Sequence, residues 1–395
     1  MNPDEAASFR ERDFRWWAAR VKSWSPTPRL PPNARASHNT AMKGKPTSFD
    51  IAYKAGVSQA TVSRALRDSP LVSEETRRKI KAIAKEINYK VDKHASSLRR
   101  QQAQTLAVLL FEDPTSDDSL INPFFMSMLA SITRTCARAG YDLLISFQQL
   151  SDDWHADYQD SHKADGLILL GYGDYLTSES KLAKLAEQGT HFVRWGPSVA
   201  GQAGLTVGCD NAQGGRLLTE HLLALGRRKI AFIGDASLHC PEFLDRHRGY
   251  EQALKAAKLK PGKDLYVPVA DSTEAVGYEA MNTLLARRKP FNAVFAASDL
   301  IAIGAMRALA EQGKRVPEDI AVVGFDDIPM ASFANPALTT VLQDTKLAGE
   351  LLVSTLINQI EKKQPASNAM LPAKLVIRRS CGASPTEAPS AKRAK

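Results

Sequence analysis

Residues 48–66 read SFDIAYKAGVSQATVSRAL. This stretch predicts two short helices, about Ser48–Ala55 and Gln59–Leu66, because small and apolar residues recur at helical spacing and strand signals are absent. Gly56 permits a tight turn between the helices, which a residue with a Cβ atom would resist. Ser58 is placed to cap the second helix, because its hydroxyl can accept a hydrogen bond from a free backbone N–H.

The second helix is expected to have one apolar and one polar face. Val57, Val62 and Leu66 are predicted to pack inward, and a third helix is predicted after Ser73, which would cap it. A capped second helix with a polar outward face predicts a helix-turn-helix that enters the major groove of DNA. A helical bundle without DNA contact is the alternative. The predicted DNA-contacting residues are Ser58, Gln59, Ala60, Thr61, Ser63 and Arg64.

Positive charge is concentrated near the amino terminus. The net charge is +9: residues 42–104 hold 14 Lys and Arg and 6 Asp and Glu, and residues 1–41 hold 7 and 4. The remaining 291 residues hold 31 and 33. Such asymmetry indicates a nucleic-acid contact at one end of the chain, although a solvated basic face is the alternative reading.

From Thr105 onward, short apolar runs alternate with helix-length amphipathic segments. Runs of four to seven residues, often ending in Gly or Asp, are typical of buried parallel strands. Repeated strand–helix alternation predicts a doubly wound α/β architecture, and two successive sets of strands predict two similar lobes with a cleft between them. The predicted strands are 106–111, 141–147, 166–170, 191–195, 205–208, 229–234, 265–269, 293–296 and 320–324.

Length and composition indicate an ordinary globular protein of two or three domains, with 395 residues, 44% of them hydrophobic and 24% charged. No apolar stretch is long enough to span a membrane, and no secretory signal is visible. Four scattered cysteines fit a reducing compartment, so a cytoplasmic location is expected. Residues 1–42 and 383–395 are expected to be disordered extensions, and the functional chain is expected to begin at Met42. The alternative is that residues 1–41 form a basic arm that adds phosphate contacts.

The amino-terminal motifs resemble those of the LacI/GalR family of bacterial repressors. The similarity covers Asp50-Ile51-Ala52-x-x-Ala55-Gly56-Val57-Ser58-x-x-Thr61-Val62-Ser63-Arg64-x-Leu66, Val72-Ser73-x-x-Thr76-Arg77 and Ala95-x-Ser97-Leu98-Arg99. The resemblance implies a DNA-binding domain over residues 43–91 and a hinge helix or linker over 92–104. Leu98 stands where that family has a leucine that wedges into a minor-groove step, and apolar wedges are a known minor-groove device.

Residues 105–382 resemble the two-lobed, periplasmic-binding-protein-like effector core of the same family. The matching stretches are Asn122-Pro123-Phe124-Phe125, Asp210-Asn211, Gly226 to Gly234, Arg246-x-x-Gly249-Tyr250, Ala297-Ser298-Asp299, Gly324-Phe325-Asp326-Asp327 and Pro336-x-Leu338-Thr339-Thr340-Val341. The resemblance implies that Arg246 reaches the effector, and that Ser298 stands at a position where asparagine is frequent.

The polar and aromatic residues of these motifs suit a carbohydrate ligand. Carboxylates, amides and arginines hold sugar hydroxyls, and an aromatic ring covers the apolar face of the sugar. Ordinary core packing is the alternative for the two aromatic residues, and helix capping is the alternative for Asp210. The predicted effector-binding residues are Phe124, Trp195, Asp210, Arg246, Ser298 and Asp326.

Motifs of enzymes, cofactor sites and metal sites are not found in the sequence. Gly171-x-Gly173 lacks the third glycine of a dinucleotide loop, and the phosphate-binding, nucleophile-elbow and HExxH patterns are absent. The sequence therefore predicts an effector-controlled repressor of carbohydrate genes that binds operator DNA as a homodimer or larger assembly, without a cofactor or metal. The alternatives are a purine- or nucleoside-responsive regulator, a sugar-binding transport or chemosensory protein built on the same core, and, more distantly, a sugar or nucleoside hydrolase.

Overall fold

The computed structural model describes residues 46–89, 102–111, 121–171, 174–199, 201–362 and 367–383. The chain divides into two compact units, residues 1–91 and 92–395. The predicted extension 1–42, residues 384–395 of the second predicted extension, and residues 92–101 of the predicted hinge, with Leu98, lie outside the described residues.

The first unit contains three helices around a small apolar core. Gly56 ends the first helix with φ of 72°, and Ser58 and Ser73 cap the next two by accepting hydrogen bonds from backbone N–H groups. Val62 and Ile80 are fully buried, so the predicted inward face is observed. The helices are α1 (Ser48–Ala55), α2 (Gln59–Ala65) and α3 (Glu74–Glu86).

The amino-terminal lobe of the second unit is a six-stranded sheet in the order β11-β5-β4-β3-β1-β2, with every neighbouring pair parallel. Alternate residues of β1 enter two separate apolar clusters, so the sheet is covered on both faces. Its strands are β1 (Thr105–Leu110), β2 (Asp142–Phe147), β3 (Gly166–Leu170), β4 (Phe192–Trp195), β5 (Leu205–Cys209) and β11 (Ala369–Leu371), and its helices are α4 (Pro123–Ala139), α5 (Tyr175–Glu187) and α11 (Thr345–Glu361).

The carboxyl-terminal lobe is a four-stranded parallel sheet in the order β7-β6-β8-β9. A two-stranded antiparallel ladder of β10 and β12 adjoins it. The strands are β6 (Ile230–Ile233), β7 (Tyr266–Val267), β8 (Ala293–Ala296), β9 (Ala321–Val323), β10 (Thr340–Leu342) and β12 (Lys374–Val376), and the helices are α6 (Asn211–Ala224), α7 (Pro241–Ala256), α8 (Glu274–Ala286), α9 (Asp299–Glu311) and α10 (Pro329–Phe333).

Three connections join the lobes: β5 to α6, β10 to α11, and β11 to β12. Each of the nine predicted strand segments overlaps an observed strand, but β10, β11 and β12 are not predicted. These three strands have three residues each, and none of them lies in an apolar run of four to seven residues. The lobes are consequently not two consecutive sets of strands, because β11 returns from the end of the chain to the first sheet.

Two glycines set the close packing of α6 on α7. A Cβ atom on Gly215 would lie 2.1 Å from the carbonyl oxygen of Arg246, and one on Gly249 would lie 2.1 Å from the carbonyl oxygen of Ala212. The two helix backbones therefore touch directly. This contact fixes the position of Arg246 in the middle of α7.

Candidate functional site

The predicted DNA-reading helix begins at a well-formed cap. The Ser58 hydroxyl accepts a hydrogen bond from the Thr61 N–H at 3.2 Å, and the two hydroxyls lie 2.9 Å apart. Ala60 and Arg64 are exposed on α2. Both residues are therefore placed where a groove of DNA could receive them.

Two other predicted DNA contacts are engaged within the protein. The half-buried Gln59 donates its amide N–H to the Ser48 hydroxyl at 2.8 Å, and the Ser63 hydroxyl accepts a hydrogen bond from Arg67. Contact with a base would require these groups to exchange partners. Arg64 and Ala60 are the predicted readers that need no such exchange.

Arg246 and Asp326 form a buried ion pair in the core. The Nη2 atom of Arg246 lies 3.3 Å from Oδ1 of Asp326, and the side chains are 0% and 2% exposed. Arg246 also donates to the Asn211 amide oxygen at 2.9 Å, and its guanidinium lies 3.9 Å from the centre of the Phe325 ring. The sequence prediction placed these two residues in one site, and the structure brings them into contact.

Asp326 is held by several neighbours in an uncommon backbone conformation. Its φ is 114°, in a region that residues with side chains rarely adopt. Gln343 donates its amide to Oδ1 of Asp326 at 2.7 Å, and the Asp326 N–H donates to Val341. Strained backbone of this kind is frequent at ligand sites.

Ser298 has a structural role next to this pair. Its hydroxyl caps α9 by accepting from the Ile301 N–H at 3.3 Å and bonds to the Ser272 hydroxyl at 2.7 Å. The adjacent Asp299 is fully buried and accepts from the Thr340 hydroxyl at 2.6 Å. Burial, with the nearby charge of Asp326, raises the pKa of Asp299 well above its ordinary value.

The two predicted stacking residues pack against each other. The ring centres of Phe124 and Trp195 are 5.7 Å apart, and these side chains are 1% and 3% exposed. Asp210 caps α6 by accepting from the Gln213 N–H at 2.9 Å. The structure therefore shows core packing for Phe124 and Trp195 and helix capping for Asp210, the roles predicted from the sequence as alternatives to ligand contact.

Three further polar residues lie together between the lobes and were not predicted. The Tyr175 hydroxyl donates to Oε1 of Glu242 at 2.5 Å, and the Arg194 guanidinium lies 5.4 Å from the Tyr175 ring centre. Oε2 of Glu242 and Nε of Arg194 are buried, and neither has a hydrogen-bond partner among the described residues. Burial raises the pKa of Glu242 to about 7. Glu242 precedes Arg246 by four residues on α7, so helical spacing was the signal that could have pointed to it.

In the described part of the chain, no cluster of three or more His, Cys, Asp or Glu side chains could hold a metal ion. No helix within the same ranges is long and apolar enough to cross a bilayer.

Comparison with known proteins identifies both units. Residues 49–92 match the model "Bacterial regulatory proteins, lacI family", and residues 219–381 match "Periplasmic binding protein-like domain". The regulator CelR of Thermobifida fusca is 32% identical over 343 residues, which cover 85% of this chain and 98% of CelR. The chain belongs to the LacI family of bacterial regulatory proteins. The predicted family and fold class, a helix-turn-helix domain followed by a two-lobed α/β core, are thereby confirmed.

Other LacI-family proteins match over similar lengths. The ribose operon repressor of Escherichia coli K12 is 33% identical over 80% of this chain and 93% of its own length, and the repressor PurR of Haemophilus influenzae is 30% identical over 85% and 98%. Among solved structures, a CelR–cellobiose complex has a TM-score of 0.63 at 30% identity and covers 85% of this chain and 99% of that chain. The Lac repressor dimer bound to operator has a TM-score of 0.72 at 26% identity and covers 86% and 99%. This chain is accordingly a DNA-binding transcriptional regulator.

Proposed function

We propose that this LacI-family regulator is a cytoplasmic repressor that binds operator DNA as a homodimer through α2. A small carbohydrate in the cleft of its core changes the affinity for DNA. One recognition helix reads few bases, and a two-fold dimer doubles the site that is read. The solved Lac repressor is a dimer on operator, and the solved CelR complex contains cellobiose, which supports both parts of the proposal. The core serves as a sensor and not as an enzyme.

The proposal that a sugar binds between the lobes rests on two buried polar atoms that lack a hydrogen-bond partner among the described residues. Oε2 of Glu242 and Nε of Arg194 are buried without a hydrogen-bond partner in the described residues. A buried polar group without a partner costs roughly 1–3 kcal/mol. A ligand with several hydroxyls could accept from Arg194 and hydrogen-bond to Glu242, with Trp195 next to it on β4. This chemistry is that of a sugar.

The proposed effector site therefore adds Tyr175, Arg194 and Glu242 to the predicted set. Arg246 and Asp326 are proposed to face the ligand from the carboxyl-terminal lobe. Ser298 and Asp210 are proposed to contribute through the helix starts that they cap, and Phe124 and Trp195 through the apolar wall of the cleft. A purine or nucleoside is the second candidate effector, favoured by the similarity to PurR.

We propose a separate function for each predicted domain. Residues 43–91 would read DNA, residues 92–104 would form the hinge, and residues 105–382 would bind the effector and pair with a second copy. The segments 1–42 and 383–395 are proposed to lie outside these domains. Effector binding would shift the lobes and thereby change the order of the hinge.

The experiment is a thermal-shift panel of mono- and disaccharides, purines and nucleosides on the full chain. A ligand that binds only the native state raises Tm with concentration. We expect a carbohydrate to raise Tm in the wild type and in Glu279→Ala, an exposed control on α8, but not in Glu242→Ala. Stabilisation by a purine alone would select the second candidate. A sugar shift that survives in Glu242→Ala would remove Glu242 from the site.

A further inference from the structure

Four segments of the carboxyl-terminal lobe are unusually rich in cations. They are residues 225–229, 257–265, 287–292 and 312–320, which directly precede β6, β7, β8 and β9. Together they carry eleven Lys and Arg but three Asp and Glu, including Arg-Arg-Lys at both 227–229 and 287–289. Residues 105–395 as a whole hold 31 cations and 33 carboxylates, so the rest of this region is acidic. The four segments are called the basic edge below.

The sheet topology places these segments side by side. Neighbouring strands are parallel: β6, β8 and β9 start in register, with Ile230 opposite Ala293 and Ala293 opposite Ala321, and β7 starts with Tyr266 opposite Phe232 of β6. All four segments therefore lie at the amino ends of the strands, along an edge of about 15 Å for four strands.

Two arginines tie the segments into one surface. Arg227 donates to the carbonyl oxygens of Pro317 at 2.7 Å and Asn292 at 3.3 Å, and Arg287 donates to those of Asp264 at 3.0 Å and Tyr266 at 2.7 Å. Each arginine thus bridges from its own segment to others. The basic edge is a continuous surface and not four independent loops.

Most of the remaining cations are exposed and unpaired. Lys289 lies 3.2 Å from Asp264, and Arg315 lies 3.0 Å from Asp319. Seven other exposed cations, among them Arg228, Lys260 and Lys314, form no ion pair with a described residue. Their charges are free to attract an anionic partner.

Helix ends do not account for this charge. Helices α6, α7, α8 and α9 all end beside the basic edge, and each carboxyl end is equivalent to about −0.5 charge, which sums to about −2. The edge carries a net charge of +8. The equivalent segments before β2–β5 of the other lobe (140–141, 161–165, 188–191 and 201–204) hold one Lys and one Asp. The fold itself therefore does not require a basic edge.

The composition of the edge favours DNA over a protein partner. Protein interfaces are depleted of lysine at their centres and are anchored by aromatic or large apolar side chains. Leu225, at 37% exposure, is the one large hydrophobic side chain exposed in these four fully described segments. Clustered Lys and Arg without aromatic stacking groups suit the phosphates of duplex DNA, where binding is independent of sequence. We propose that the basic edge binds the phosphate backbone of a second DNA duplex, separate from the operator bound by α2.

The test uses the full chain saturated with an unlabelled operator duplex, selected beforehand from a random library. Binding of a fluorescent non-operator duplex is then measured by anisotropy across a salt series. The edge variant is Arg228→Gln with Lys260→Gln and Lys314→Gln. The control variant is Arg216→Gln with Lys346→Gln and Lys374→Gln, which removes the same charge from exposed positions elsewhere in the core.

We expect wild type and control to bind the second duplex, with an affinity that falls steeply with salt. Each lost phosphate contact lowers the slope of log K against log salt by about 0.9, so the edge variant should lose about 2 to 3 units of slope. Each single substitution should lose about 0.9. An unchanged slope in the edge variant, or an equal loss in the control, would overturn the proposal. Binding of a labelled poly-aspartate peptide but not of the duplex would assign the edge to an acidic protein instead.

Discussion

The Tyr175 hydroxyl donates a 2.5 Å hydrogen bond to the Glu242 carboxylate, and this contact joins the two lobes of the core. The start of α5 reinforces it. The Tyr175 N–H donates to the carbonyl oxygen of His239, and the His239 ring lies 2.9 Å from the Asp174 carboxylate. Hydrogen bonds from Thr177 and His239 lower the pKa of Asp174 to about 2. Closure of the lobes therefore brings an ionised carboxylate and a second, readily protonated carboxyl group to the same interface.

Because the pKa of Glu242 is raised, the stability of the folded protein is expected to depend on pH. Burial raises this pKa from 4.5 to about 7, so the folded state prefers the protonated form. Protonation of Glu242 in the folded state therefore contributes about 3 kcal/mol to the free energy of unfolding. This contribution is fully present below pH 4.5 and is lost as the pH rises through 7. The side chain of Glu242→Gln stays neutral at every pH. The free energy of unfolding of this variant should therefore rise relative to that of wild type by about 3 kcal/mol as the pH is raised from about 4.5 to about 8. Urea unfolding followed by tryptophan fluorescence measures this difference.

Glu279→Gln on α8 is the matched control for this experiment, because Glu279 is exposed. It should follow the wild type across the pH range. Parallel curves for wild type and Glu242→Gln would contradict the assignment of a raised pKa to Glu242.

Removal of Arg246 should destabilise the core. Arg246→Ala leaves the carboxylate of Asp326 buried without its ion-pair partner. Breaking a buried pair from one side costs about 3–5 kcal/mol. Arg248→Ala on the same helix removes an exposed arginine, whose ion pair with Asp245 is worth about 1 kcal/mol at most. Chemical unfolding of both variants tests the contrast, and equal losses would show that the Arg246 pair contributes no more than a surface pair.

The features that the sequence predicts are those set by neighbouring residues. Gly56, Ser58 and Ser73 act within one turn of the chain, so the helix starts and the turn could be placed from residues 48–88 alone. Tyr175 and Glu242 are 67 positions apart, and their contact depends on how the lobes close. No local pattern contains that information.

A second limit concerns short strands and residues with two suitable roles. Met370 lies in a three-residue strand at the edge of a sheet, and such a strand has too few buried positions to give an apolar run. The sequence predicts Asp210 and Ser298 as effector-binding residues but cannot separate capping from ligand contact, because both roles use the same acceptor oxygen. The structure separates them, since each oxygen accepts from a backbone N–H.

Arg64 is predicted to read a base. It is exposed on α2 and its charge is available, whereas Gln59 and Ser63 already have partners in the protein. Arg64→Ala should cost about 1–3 kcal/mol in binding a selected operator if the arginine makes a bidentate contact to guanine. Binding to random DNA should change much less. Arg78→Ala, on α3 and paired with Glu74, is the control, and an equal loss on operator and random DNA would make Arg64 a phosphate contact.

Leu98 is predicted to contribute to operator binding and not to effector binding. An apolar side chain inserted at a minor-groove step is useful in the bent DNA complex, because unstacking the step permits further contacts. Leu98→Ala should therefore weaken operator affinity and reduce the bend of the operator, while the Tm shift caused by the effector stays at the wild-type value. Fluorescence energy transfer between dyes at the two operator ends reports the bend. The wedge requires a bent duplex. If the operator stays straight with wild-type protein and binds Leu98→Ala equally well, Leu98 is not a DNA-binding residue.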